Sequence, residues 1–125
     1  MSVMVLKKIG NAAVVPPFLQ LVTWLVTEQR MIVFVEAAAV AEPNLLLPEG
    51  VRQRLVTFTA KTDDLTDKID FVMCLGGDGT LLYAATLFQR SVPPIMAFHF
   101  GSLGFLTQFH FDQFEAQVTQ SLYSF

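Results

Sequence analysis

Four short apolar runs recur along this chain, and each is too unbroken to be a strand with one face in water. Residues 3–6, "MIVFVE" at 31–36, "DFVMCL" at 70–75 and "PPIMAF" at 93–98 have no regular polar alternation. Strands of that kind are covered on both faces, as in a parallel sheet between helical layers. The segments between them supply the helices. Pro16-Pro17 opens "PFLQLVTWLVTEQR", where Phe18, Leu21, Val22, Leu25 and Val26 recur at helical spacing and proline suits the first turn. "TLLYAATLFQ" from Thr80 reads as a second helix, and "FDQFEAQVTQSL" with Asp112 near its start as a third. Residues 37–69 hold Pro43, Pro48 and Gly50 and are expected to be loop with short helical pieces. The expected fold class is α/β, a doubly wound, mostly parallel sheet with helices on both faces. By size, the 125 residues make a single domain.

Composition narrows the ligands. Hydrophobic residues make up 53% and charged residues 15%, which suits a layered core rather than a disordered chain. The net charge of −3 gives no basic field, so neither nucleic acid nor a membrane surface is an expected partner. Phosphate ligands stay open, because backbone N–H groups bind anions without side-chain charge. Cys74 is the single cysteine and lies inside an apolar run, so it reads as a core residue. With no internal disulfide possible, a reducing, cytoplasmic setting is expected. No run reaches the ~18 apolar residues of a spanning helix. Pro16-Pro17 interrupts the apolar start, so a signal peptide is not expected either.

The sharpest feature is "LGGDGTLL" at 75–82, which sits between a strand and a helix. In such sheets ligands gather beyond the carboxyl ends of the strands. Gly76, Gly77 and Gly79 let the backbone approach a ligand, and a helix start near Thr80 turns unpaired N–H groups towards it. Asp78 has two readings. As a helix cap its carboxylate would accept from first-turn amides. As a general base it would meet a hydroxyl beside an anion-binding turn, an arrangement suited to phosphoryl transfer to an alcohol. The turn lacks the Gly-Lys-Ser/Thr of a Walker loop, and no third glycine completes a dinucleotide fingerprint.

A second turn, "HFGSLGFLTQF", follows the fourth strand and carries Gly101, Gly104 and Phe105. Phe105 could stack on a purine, or it could be one more core ring among twelve phenylalanines. His99 reads as a loop histidine. Asp63, Asp64 and Asp67, interleaved with lysines, read as a solvated face or cap rather than a metal site. No basic side chain lies within either glycine turn.

Gly76-Gly77-Asp78-Gly79-Thr80 followed by Gly101-Ser102-Leu103-Gly104-Phe105-Leu106 resembles the NAD kinase family. The stretch from Cys74 to Phe109 is similar to the animal cytosolic type, and a weaker likeness runs back to the start. Diacylglycerol and sphingosine kinases and phosphofructokinases use variants of the first motif, but its pairing with the second is far more specific. The resemblance implies transfer of the ATP γ-phosphate to the 2′-hydroxyl of NAD's adenosine ribose, giving NADP, with magnesium. Asp78 would match the catalytic aspartate, and Gly76, Gly77, Gly79 and Thr80 the nucleotide-phosphate turn. Phe105 and Leu106 would match the residues against which adenine rests. Small-molecule nucleotides are the implied partners, and the family is a homo-oligomer. The family continues into a β-rich domain with an Asn-acidic pair and further NAD contacts, so this chain is expected to be the N-terminal domain alone. Two alternatives remain: a nucleotide-binding module without catalysis, and a lipid kinase relative.

Overall fold

The computed structural model describes residues 1–10, 12–43, 45–60, 62–65, 67–88, 91–99, 109–110, 115–116 and 118–119. Six strands form one sheet: β1 (Ser2–Lys7), β2 (Ile32–Glu36), β3 (Leu55–Phe58), β4 (Phe71–Leu75), β5 (Ile95–His99) and β6 (Phe109–His110). The spatial order is β3-β2-β1-β4-β5-β6, and every neighbouring pair is parallel. The four expected strands are therefore present, joined by two short ones at the edges. Strand β3 lies inside the stretch read as loop. It has four residues and only Phe58 is buried, so it carries little of the apolar signal that marks a central strand.

The helices are α1 (Val15–Thr27), the single turns α2 (Ala37–Val40) and α3 (Glu49–Arg52), and α4 (Asp78–Thr86). The third expected helix falls largely outside the described residues. Within it, Glu115, Ala116, Val118 and Thr119 are helical, and Val118 is buried.

Because side chains alternate along a strand, the central strands divide their residues between two cores. Val3 and Val5 of β1, Val33 and Val35 of β2, and Phe71, Met73 and Leu75 of β4 face one layer. There they meet Phe18, Leu21, Val22, Leu25 and Val26 of α1. Met4, Leu6, Val72 and Cys74 face the other layer with Ala84 of α4, Phe88 and Phe58. This double cover is the physical reason the runs lack polar positions. The order of connection also has a consequence. Strands β1 to β3 proceed one way from the centre and β4 to β6 the other, so winding reverses between β1 and β4. At that reversal the loops part and leave a crevice at the carboxyl edge.

Candidate functional site

The crevice is a cleft of about 410 Å³ lined by Lys7, Lys8, Ile9, Glu36, Gly77, Gly79, Thr80 and Tyr83. Three adjacent strand ends build it. Strand β1 brings the lysines, β2 ends on Glu36, and β4 runs into the glycine turn and α4.

The turn is held from below. Gly76 donates its amide to the Phe98 carbonyl of β5 at 3.2 Å, and Lys8 donates to the Leu75 carbonyl at 3.3 Å. Gly76 has φ +146°, a conformation that side-chain-bearing residues rarely adopt. A Cβ there would lie 2.8 Å from Thr80 Oγ1. Thr80 is buried, and its amide donates to the Gly77 carbonyl at 3.1 Å, closing the first turn of the helix. Gly77 and Gly79 face open space.

The helix begins two residues earlier than the sequence suggests. Gly77, in an extended conformation, is the cap residue and Asp78 is the first helical residue. The N-terminal cap position therefore belongs to glycine and has no side-chain hydrogen bond. The amides of Asp78 and Gly79 belong to a turn that offers them no intrahelical acceptor. Glycine at both flanks keeps side chains off those amides.

The lysines at the end of β1 were not legible as site residues. "KKIGN" reads as a strand end, and only the pairing of β1 with β4, from Val3↔Phe71 to Lys7↔Leu75, brings it beside the glycine turn. The available signal was position, since cations at a carboxyl end of a central strand face the ligand edge. The two lysines differ. Lys7 is buried, ion-paired to Glu42 Oε1 and 5.8 Å from the centre of the Phe18 ring. The same Glu42 oxygen accepts from the Gly10 amide at 3.2 Å, so this carboxylate fixes the β1 exit. Lys8 is exposed along the cleft.

Across the cleft the Tyr83 hydroxyl donates to Glu36 Oε2 at 2.7 Å. Partial burial, then the hydrogen bond to Glu36 and its charge, push the Tyr83 phenol up to about 12. It is a donor at neutral pH, not a base. Cys74 beneath the turn is buried, and burial pushes its thiol up to about 12, as suits a core residue. His99 ends β5 rather than lying in a loop, paired in register with His110. Phe105 and Leu106, with Gly101 and Gly104, lie outside the described residues. Among the described residues no three His, Cys, Asp or Glu side chains gather as a metal site. No helix there is long and apolar enough to cross a membrane.

The six-stranded parallel sheet with a glycine-aspartate turn at its reversal point has counterparts among known proteins. The family profile described as "ATP-NAD kinase N-terminal domain" matches residues 4–124. The chain belongs to the NAD kinase family. An uncharacterized kinase of Schizosaccharomyces pombe is 34% identical over 119 residues, which is 95% of this chain and 29% of that protein. The NAD(+) kinase of Saccharomyces cerevisiae is 55% identical over 49 residues, 39% of this chain and 9% of that protein. The crystal structure of yeast NADH kinase complexed with NADH superposes with a TM-score of 0.75 at 28% identity. It covers 99% of this chain and 36% of that one. An NAD kinase from Archaeoglobus fulgidus in complex with ATP shares the fold, with a TM-score of 0.57 at 20% identity. The chain thus spans less than a third of the full relatives it matches by sequence.

Proposed function

We propose that this chain forms the phosphate-binding wall of an NAD kinase, which transfers the γ-phosphate of ATP to the 2′-hydroxyl of NAD's adenosine ribose. The observation that carries the reading is the cleft at the sheet's reversal point, where Gly77 and Gly79, each with open space at its Cα, and Lys8 line one site. Family membership and the NADH bound by the yeast neighbour support nucleotides as the ligand class. In this reading Gly76, Gly77, Gly79 and Thr80 shape the phosphate turn. Asp78, at the start of α4, takes the proton from the attacking hydroxyl as its oxygen bonds to the γ-phosphorus and the β–γ bridge breaks. Phe105 and Leu106 meet the adenine end of NAD. Magnesium arrives with the triphosphate, since that ion is usually held by one or two carboxylates plus substrate phosphates. The proposed setting is cytoplasmic and the product feeds NADP supply. Relatives include chloroplastic and mitochondrial kinases, so fractionation of tagged protein tests the address.

Phosphoryl transfer depends on positioning and charge stabilisation around both substrates, and one wall leaves them mobile and wet. Purified alone, the chain is expected to bind nucleotide weakly and form no NADP in a coupled assay. Fused to the β-rich domain of a relative, it is expected to convert NAD to NADP. Turnover by the lone chain that vanishes in Asp78→Asn would overturn the one-wall reading. A fusion that phosphorylates diacylglycerol and not NAD would overturn the substrate.

A further inference from the structure

The Glu36–Tyr83 pair lines the cleft but has no part in the phosphate chemistry described above. Glu36 is the last residue of β2 and Tyr83 lies in the second turn of α4. By strand alternation Glu36 follows Phe34 towards the α4 layer, which brings its carboxylate to the tyrosine hydroxyl. Glu36 is thus an acid at the carboxyl end of the strand beside β1. In dinucleotide-binding sheets of this same strand order, an acid near that place holds ribose hydroxyls, while the glycine turn follows the first strand. Here the glycines follow β4 and β1 ends in lysines. The phosphate turn has moved one strand across, and the acid has stayed.

We infer that Glu36, oriented by Tyr83, is the ribose-binding and sugar-discriminating residue of this cleft, accepting hydrogen bonds from the vicinal diol of the phosphate-donor nucleotide. Resting on the phosphate-wall reading, the inference assigns the subsite next to it. An ionised carboxylate has about four acceptor positions, and Tyr83 uses one on Oε2. A diol offers two donors. Strands β2 and β4 flank β1, so their ends stand two strand spacings apart, about 10 Å, a span that a ribose with its triphosphate arm can bridge. The 410 Å³ of the cleft falls within the range of small-ligand sites. Tyr83 stays protonated through neutral pH and holds one carboxylate oxygen, which sets the direction of the other.

The test titrates the 125-residue chain by calorimetry or amide shifts with magnesium and tripolyphosphate, ATP, 2′-deoxy-ATP, 3′-deoxy-ATP or NAD. The wild-type chain is expected to prefer ATP over both deoxy analogues by about tenfold, as suits hydrogen bonds to a charged acceptor. Glu36→Gln is expected to erase that preference while leaving tripolyphosphate affinity unchanged. Tyr83→Phe is expected to reduce the preference in part. A Glu36→Gln chain that melts normally and keeps the full ribose preference would overturn the assignment. So would a preference that the wild-type chain shows only for NAD. Failure of the wild-type chain to bind either tripolyphosphate or ATP would instead sink the phosphate wall, and the ribose subsite with it.

Discussion

The ends of β1 and β4 lie side by side at one edge of the sheet and supply positive groups to the cleft by opposite means. The β4 end offers backbone: glycines, a strained φ at Gly76 and a helix start, with side chains kept away. The β1 end offers side chains: Lys7 and Lys8, with Gly10 tied down by Glu42. At the β1 end the division repeats. Both lysines line the cleft, but Lys7 is buried over Phe18 and neutralised by Glu42, while Lys8, one residue beyond the strand, is exposed there. Two identical neighbours thus have different work because one is buried against a carboxylate and the other faces solvent. The contrast teaches that a motif of glycines announces itself in sequence, whereas a cation beside it is supplied by pairing.

The largest expected effect tests whether the β4 end carries chemistry or only shape. In the proposed fusion to the β-rich domain of a relative, Asp78→Asn should lower kcat by about 10²–10⁴-fold, the usual range of general-base help. Its melting curve should stay close to the parent. Steady-state assays beside thermal melts check both halves, and wild-type kcat in the variant would leave this turn a scaffold.

The next prediction concerns the buried member of the lysine pair. Lys7→Met strands a mostly buried Glu42 carboxylate and should cost about 3–5 kcal/mol in urea unfolding, as broken buried ion pairs do. Adding Glu42→Leu should recover most of that loss, because an apolar pair of similar volume is often neutral. A double variant as unstable as the single one would show that Lys7 matters for packing on Phe18 rather than for charge.

Much of the fold was legible for reasons visible in these regions. The central strands are apolar on both faces because helices cover both, and that pattern survives in sequence without any partner. Strand β3 escaped because its middle residues, Val56 and Thr57, are exposed, and β6 because two residues carry no period. The glycine-aspartate turn was legible, since backbone needs dictate residue type there. Glu36 and Lys8 were not, because each reads as the ordinary end of a strand. Glu36 acquires a partner 47 residues away, and Lys8 a glycine turn nearly 70 residues on, only when the parallel sheet closes.

A smaller effect is expected at the base of the turn. Gly76→Ala places a Cβ 2.8 Å from Thr80 Oγ1 on a backbone at φ +146°. Strain of this kind costs about 1–3 kcal/mol, so the urea midpoint should fall moderately. Combining it with Thr80→Ala relieves the contact and leaves the φ strain, so only partial recovery is expected. Full recovery would mean that crowding alone selects glycine there.

The smallest stability effect belongs to Lys8, and it sharpens the contrast with Lys7 most directly. Lys8 is exposed, so Lys8→Ala should shift unfolding by no more than about 0.5 kcal/mol, as surface changes usually do. The loss should appear instead in binding. Tripolyphosphate affinity should fall about tenfold, in line with a hydrogen bond between charged groups. Its salt dependence should weaken too, because one screened attraction is gone. Lys8→Arg keeps the charge at the cleft and should retain most of the binding, whereas Lys8→Gln removes the charge from a side chain that is still polar and should not. An alanine variant that binds tripolyphosphate as well as the parent would leave the phosphate to the glycine amides alone. One that melts as early as Lys7→Met would erase the division of labour between the two lysines.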